Sequence, residues 1–377
     1  MFVAIIILWL SICLNEGMKI FTCTHCNQLV YFENDRCEHC GHQLGFDPEA
    51  LQLVTLNPLP NNSFTVFASN NTNTYRYCAN YQQHVCNWLI PDNNLTPYCK
   101  ACNINRTVPN SNTLNYFAKW QIIETAKHRL VYSLLRLNLP LCNKIIDPEK
   151  GLAFNFVSND NAIDSDRVLT GHDNGLITIN IAEADDIERE MARKNMDELY
   201  RTVLGHFRHE IGHYYWDRLI ADTNKHAAFR QYFGDETINY ELALQKHYAK
   251  GVPANWNQFF ISAYATTHPW EDWAETWAHY LHIMDTLETA FAFGLSIHPG
   301  IAQKSSDHNA DINADINADP YTIINFSNIL TLWLPLTFAM NSLNRSMGLN
   351  DPYPFIIPQK VVEKLHFIHN LCYGYHR

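Results

Sequence analysis

The chain has 377 residues, of which 47% are hydrophobic and 17% charged, and its net charge is −11 with histidine counted as neutral. This composition describes a globular protein with a sizeable core, and it excludes an intrinsically disordered chain. Because the sequence contains no run rich in Lys and Arg, we expect no nucleic-acid partner, since sequence-independent binding to nucleic acid needs a basic surface.

The N-terminus begins with an apolar run at residues 2–14, which is too short to cross a bilayer comfortably. No Lys or Arg precedes Lys19, so the run also lacks the basic start of a secretory signal. A sequence typical of a soluble protein starts at Met18. We therefore interpret residues 1–17 as a spurious or leader-like extension, and without them we expect no association with a membrane.

Eight of the eleven cysteines fall into two sets of four. The first set has the paired CxxC spacing of a zinc ribbon and lies within residues 18–48: Cys23, Cys26, Cys37 and Cys40. The second set lies within residues 76–109: Cys78, Cys86, Cys99 and Cys102. It predicts a second zinc module, with disulfides as the alternative, because its first two cysteines are too widely spaced for a knuckle.

The cysteine pattern also bears on organisation and location. Residues 49–75 are rich in Asn and contain two prolines, so we interpret them as a connector between the two modules. Metal-binding thiolates of this kind are typical of a reducing compartment, and we therefore expect a cytoplasmic protein.

From residue 113 to residue 377 the hydrophobic pattern predicts one larger domain. Helices are predicted at residues 116–139, 201–220, 321–343 and 360–371, and short strands at residues 152–157 and 176–181. Residues 305–319, with an Asn-Ala-Asp-Ile repeat, are interpreted as a solvated low-complexity insertion. The fold class expected is α+β, a small mixed sheet plus helices, preceded by one or two small zinc-ribbon modules.

The pentapeptide His209-Glu210-Ile211-Gly212-His213 is the strongest functional signal in the chain. Residues four apart lie on the same face of a helix, so the two imidazoles point in the same direction. That spacing suits two ligands of one Zn²⁺, with Glu210 beside an open coordination position. A chance match in a histidine-rich chain is the alternative.

A second predicted helix, at residues 269–279, offers a third ligand. Glu271, Glu275 and His279 recur there at intervals of four residues and so lie near one helical face. A solvated acidic face is the alternative. Three tryptophans in the same segment indicate burial instead, and buried carboxylates need a partner or a metal.

Taken together, these segments resemble a bacterial family of zinc-binding metallopeptidases that carry an N-terminal zinc ribbon. The resemblance rests on residues 23–46, 86–89, 98–99, 175–185, 204–217 and 268–294. It implies a zinc-dependent peptidase that acts on peptide or protein substrates, with Glu210 as the general base. It names no particular substrate.

A looser resemblance to the gluzincin peptidases concerns the third ligand. Their Glu-x-x-Ala-Glu motif fits residues 271–275, which implies Glu271 as the ligand and Glu275 as a supporting carboxylate. The alternative register makes Glu275 the ligand. These peptidases also carry a tyrosine two helical turns before the ligand, and that tyrosine stabilises the oxyanion. Tyr264 stands at the matching position in this chain, so the resemblance implies the same role for it.

Two further residues are expected to support the metal centre without binding the metal. His206 precedes the histidine pair by one turn and is interpreted as a packing or supporting histidine. Asp217 follows the pair by one turn and is expected to orient an imidazole by a hydrogen bond. We further expect the strand at residues 176–181 to lie at the rim of the cleft, where an extended peptide could add to the sheet.

The cofactor expected is Zn²⁺, with one catalytic ion and one or two structural ions. The alternative function is an interaction protein whose zinc ribbons recruit a protein partner and whose HExxH site is structural or inactive. Glu210 favours the enzyme, because a purely structural zinc site has no need of that carboxylate.

Overall fold

The computed structural model describes residues 19–70, 72–109, 114–158, 170–195, 201–299 and 313–374. The extension predicted at residues 1–17 and residues 305–312 of the predicted insertion lie outside these ranges. Within them the chain has an N-terminal part built of strands and a larger part in which helices surround a small mixed sheet. The α+β class predicted from the sequence is confirmed.

The N-terminal part contains a two-stranded hairpin and a five-stranded antiparallel sheet. The hairpin pairs β1 (Phe21–Thr22) with β2 (Leu29–Val30). The sheet has its strands in sequence order: β3 (Leu44–Asp47), β4 (Gln52–Pro58), β5 (Phe64–Val66), β6 (Tyr75–Tyr77) and β7 (Leu89–Pro91).

This sheet runs through the segment that was interpreted as a connector, residues 49–75, and that interpretation was wrong. Leu53 and Leu56 of β4 are almost fully buried, so the strand contributes to the core despite the Asn-rich stretches around it. The first cysteine set precedes β3, whereas the second set flanks β7 on both sides. One sheet therefore joins the two sets.

The second sheet has the order β10-β11-β9-β8. Its strands are β8 (Asn105–Thr107), β9 (Ala153–Val157), β10 (Gly171–Asp173) and β11 (Leu176–Asn180). β9 pairs in parallel with both β8 and β11, and β10 forms an antiparallel hairpin with β11. Because β11 has a neighbour on each side, it cannot accept a peptide strand, contrary to expectation. Among the described residues, β10 is the outer strand on that side.

Eight α-helices within the described residues account for most of the larger part. Their bounds are α1 (Leu114–Arg136), α2 (Asp186–Asn195), α3 (Val203–Leu219), α4 (His226–Phe233), α5 (Tyr240–Lys250), α6 (Pro269–Ala292), α7 (Phe326–Ser346) and α8 (Gln359–Gly374). No helix in the described ranges combines the length and the apolar character that a bilayer span requires.

Helices α3 and α6 pack against each other at very short range. A Cβ added to Gly212 of α3 would lie 3.0 Å from the Cα of Ala274 in α6. The indole nitrogen of Trp273 donates a 2.8 Å hydrogen bond to the carbonyl oxygen of Gly212. Trp273 and Trp277 are fully buried. Glu271 and Glu275 stand two residues before and two residues after Trp273, and so lie close to the opposite face of α6.

Residues 313–319, the described end of the predicted insertion, were expected to be solvated, but part of this stretch is buried. β12 (Ser296–Ile297) pairs with β13 (Ala314–Asp315). Ala314 and Ile316 are buried, and the carboxylate of Asp319 forms an ion pair with Arg136 of α1. Hydrophobic burial of alternate residues therefore fixes this stretch to the domain.

Candidate metal centre

The two histidines of the HExxH pentapeptide lie in the middle of α3. The helix begins after Thr202, whose hydroxyl accepts a 3.0 Å hydrogen bond from the backbone nitrogen of Gly205 and so caps the first turn. One turn separates His209 from His213, and their Nε2 atoms lie 3.2 Å apart. Both imidazoles therefore face the same point, as the spacing predicts.

Glu271 in the first turn of α6 brings a carboxylate to that same point. Its Oε2 atom lies 3.1 Å from Nε2 of His209 and 3.6 Å from Nε2 of His213. The residue is 2% exposed, and Oε2 is a buried oxygen that has no well-aligned hydrogen bond within the described residues.

The spacing of these three donor atoms fits a Zn²⁺ ion. Nitrogen and oxygen ligands lie about 2.0–2.1 Å from zinc, so the edges of a tetrahedral site measure roughly 3.3 Å. The three observed separations are 3.1, 3.2 and 3.6 Å. The surroundings also favour positive charge: burial lowers the pKa of His209, but Glu271 and Glu275 outweigh it and hold that pKa well above its ordinary value.

Glu275, one turn further along α6, contacts the opposite side of the His209 ring. Its Oε1 atom accepts a 2.7 Å hydrogen bond from Nδ1 of His209. Its Oε2 atom accepts a 2.6 Å hydrogen bond from the hydroxyl of Ser262. Both carboxylate oxygens are thus engaged away from the point where the two Nε2 atoms meet.

A cavity of about 420 Å³ opens beside His209, the one of the three donor residues that lines it. Glu210 lines it and is 9% exposed. Tyr264 also lines it, with its ring centre 6.1 Å from that of His209. The wall of the cavity also includes residues of α5, α6 and the segments after them: His247, Tyr248, Val252, Trp256, His279 and Phe355.

Within the described residues, neither His206 nor Asp217 makes a hydrogen bond or an ion pair with the imidazoles of the HExxH pair. Nδ1 of His206 lies 3.3 Å from Oε2 of Glu183, at the wall of the cavity. Oδ2 of Asp217 lies 3.9 Å from Nε2 of His172, which is too far for a hydrogen bond. The hydrogen bond expected from Asp217 to a metal-facing imidazole is therefore absent from the described part of the chain.

Sequence reasoning missed Tyr240, the first residue of α5. Its hydroxyl donates a 2.7 Å hydrogen bond to Oε1 of Glu271, the oxygen that faces away from the histidine pair. Tyr240 stands 31 residues before Glu271 on another helix, so no periodicity connects the two, and the sequence carries no signal that could have identified the contact.

The two cysteine sets have the geometry of zinc sites. The sulfur atoms of each set lie within 4.8 Å of one another, with 3.6 Å between Cys23 and Cys40 and 3.7 Å between Cys86 and Cys99. A zinc–sulfur bond of about 2.3 Å gives tetrahedral edges of roughly 3.8 Å. A disulfide would need about 2.05 Å, and all eight cysteines are free. Both sets therefore fit Zn²⁺.

The second cysteine set packs directly against α1. The sulfur of Cys102 lies 3.7 Å from Nε2 of His128, whose Nδ1 donates a 2.7 Å hydrogen bond to the carbonyl oxygen of Glu124. Lys127, fully buried on the same helix, pairs with the Glu124 carboxylate at 2.7 Å. The second set is therefore continuous with the helical part and does not form a detached module.

Comparisons with known proteins agree with this geometry. Residues 116–371 match the family described as "Putative zinc-binding metallo-peptidase", and residues 20–113 match a zinc-ribbon domain. The chain is similar to two proteins named as uncharacterized, Mb2598c of Mycobacterium bovis and Rv2568c of Mycobacterium tuberculosis. Each is 40% identical over 355 residues, which cover 94% of this chain and 95% of the relative. No solved structure matches the chain. The chain belongs to the zinc-binding metallopeptidase family so described, and it carries the zinc-ribbon domain at its N-terminus.

Proposed function

We propose that the protein is a zinc-dependent peptidase whose catalytic metal is held by His209, His213 and Glu271. The observation that carries this proposal is the convergence of three donor atoms, 3.1 to 3.6 Å apart. One of the three residues, His209, lines a cavity together with Glu210. Three protein ligands with a fourth position open to a cavity are typical of catalytic zinc sites, whereas structural sites use four protein ligands.

The chemistry proposed divides between the metal and the chain. Zn²⁺ bound at this point supplies a Lewis acid and lowers the pKa of water from about 15.7 toward 7. Glu210 accepts the proton of the attacking water and delivers it to the leaving amine. Tyr264, at the same cavity, donates a hydrogen bond to the oxygen on which negative charge develops.

Glu275 has a positioning role in this proposal. By accepting the Nδ1 proton of His209, it selects the tautomer that leaves the Nε2 lone pair free for the metal. Ser262 holds the second oxygen of Glu275, so both oxygens of the carboxylate are fixed.

We propose a structural role for the cysteines. Each four-sulfur set holds one structural Zn²⁺, which with the catalytic ion makes three ions per chain.

The test is cleavage of a peptide library by the zinc-loaded protein, with the products read by mass spectrometry. We expect defined cleavage sites that disappear with Glu210→Gln and with a chelator. If protein that carries three zinc ions cleaves nothing in the library, the alternative becomes the better account: an interaction protein with an inactive HExxH site.

A further inference from the structure

We propose that Tyr240 is a positioning residue that orients Glu271 for the metal and ties helix α5 to the metal centre as a lid. The inference rests on the proposed metal ligands and extends them to a residue and a helix that the sequence pattern does not connect with the site. It also assigns a conformational role to the wall of the cleft.

The contact between Tyr240 and Glu271 decides which carboxylate oxygen faces the histidines. The hydroxyl of Tyr240 donates to Oε1 at 2.7 Å, while Oε2 faces the two Nε2 atoms. A carboxylate that binds a metal through one oxygen must keep that oxygen in place, and hydrogen bonds from neighbouring side chains usually provide this restraint. Tyr240 provides this restraint for Glu271, because its hydrogen bond to Oε1 fixes the orientation of the whole carboxylate.

The ring of Tyr240 is held at the N-terminus of α6. Its centre lies 5.2 Å from that of His268, the residue that caps α6, in an edge-to-face arrangement. It also lies 6.4 Å from the ring centre of Trp270. The phenol of Tyr240 thus contacts a proposed metal ligand through its hydroxyl and the first turn of α6 through its ring.

Helix α5, which begins at Tyr240, is otherwise weakly held. None of its residues is buried, and it ends at Gly251, whose φ of 71° is accessible to glycine at low cost. His247 and Tyr248 on this helix nevertheless line the cavity. Segments with few buried contacts open locally at a low free-energy cost, so α5 can open while α3 and α6 stay packed.

The position of Tyr240 makes opening of α5 and orientation of Glu271 interdependent. When α5 lies against the cleft, the hydrogen bond to Oε1 is made. When α5 moves away from the cleft and takes Tyr240 with it, that bond breaks and Glu271 loses its restraint. A substrate that contacts His247 and Tyr248 would hold α5 closed and thereby complete the metal site, as lids do in other enzymes.

The test compares Tyr240→Phe with Tyr232→Phe. Tyr232 is similarly exposed, at 41% against 36% for Tyr240, and lies on α4 with its ring against Phe367. The phenylalanine variant of Tyr240 keeps the ring contacts and removes only the hydroxyl. We call the site formed by His209, His213 and Glu271 the third zinc site. We expect Tyr240→Phe to weaken zinc binding there by roughly 10–100-fold in chelator competition, with the two ions of the cysteine sets retained and the melting temperature unchanged. The control should bind all three ions like the wild type.

Hydrogen exchange of the α5 amides provides the second measurement. In the zinc-loaded wild type we expect α5 to exchange faster than α3 and to slow when a peptide hydroxamate is bound. Equal zinc affinity of the third site in wild type and Tyr240→Phe would overturn the positioning role. An exchange rate of the α5 amides that is the same with and without the hydroxamate would overturn the lid. Neither readout requires cleavage. If the third ion is weakened as expected while no peptide is hydrolysed, the inference stands and the proposed peptidase function fails.

Discussion

Nδ1 of His209 donates a 2.7 Å hydrogen bond to Oε1 of Glu275, while Nε2 of the same ring lies 3.1 Å from Oε2 of Glu271. One imidazole thus stands between two carboxylates that are a single helical turn apart. Its two nitrogens have different chemistry, because the one that donates to Glu275 cannot bind a metal and the other can. This relationship favours Glu271 over Glu275 as the third ligand.

The two carboxylates should therefore respond differently to mutation. We expect Glu271→Ala to empty the third zinc site, because it removes a proposed direct ligand. Glu275→Ala should only weaken that site, by roughly 10–100-fold, because it removes a partner of His209. Chelator competition followed by elemental analysis measures both, and two zinc ions should remain in each variant. Greater loss of zinc with Glu275→Ala would make the alternative register correct.

Glu210 should matter for chemistry and not for metal binding. Glu210→Gln keeps the size of the side chain and removes the base, so we expect hydrolysis to slow by roughly 10²–10⁴-fold. Zinc content and melting temperature should stay close to those of the wild type. The check is kcat on a peptide identified in the library, measured beside zinc content. Wild-type kcat in this variant would remove Glu210 from the mechanism.

The second cysteine set should contribute to the stability of the helical part. Because Cys102 contacts His128 of α1, loss of its zinc should destabilise α1 as well as the strands. We expect Cys99→Ser to lower the zinc count from three to two and to lower the melting temperature of the whole chain. Cys142→Ser, at a half-buried cysteine outside both sets, is the matched control and should retain three ions. A detached module would instead unfold separately and leave the main transition unchanged.

Gly212 should be required for the close packing of α3 on α6. Gly-to-Ala changes within helices usually stabilise them by roughly 0.5–1 kcal/mol. Here the new Cβ would lie 3.0 Å from the Cα of Ala274 and 3.2 Å from the Cβ of Trp277. We therefore expect Gly212→Ala to lower the free energy of unfolding by about 1–3 kcal/mol and to weaken the third zinc site, since the two helices carry its ligands. Denaturant unfolding and zinc titration measure the two effects. A more stable variant would contradict the packing argument.

Local spacing predicted most of the proposed metal ligands. The histidine pair and Glu271 lie on helices, where residues four apart must share a face, so the arrangement within each helix follows from sequence separation alone. The three CxxC pairs of the cysteine sets are similar, because a CxxC turn brings two sulfurs together whatever the rest of the chain does. The zinc-ribbon domain and the metallopeptidase family are confirmed. The roles of individual residues in the site stay predictions.

Only the tertiary structure decided the relationships between distant segments. Tyr240 meets Glu271 because the first residue of α5 lies beside the first turn of α6. Glu275 meets His209 because Gly212 lets α3 approach α6 closely. Residues 49–75 became part of a sheet because Leu53, Thr55 and Leu56 of β4 are buried, a contribution that their Asn-rich surroundings concealed. Helical periodicity and turn geometry act within a few residues, and so the sequence shows them directly. Contacts between elements depend on how buried surfaces pack, which a single sequence does not specify residue by residue.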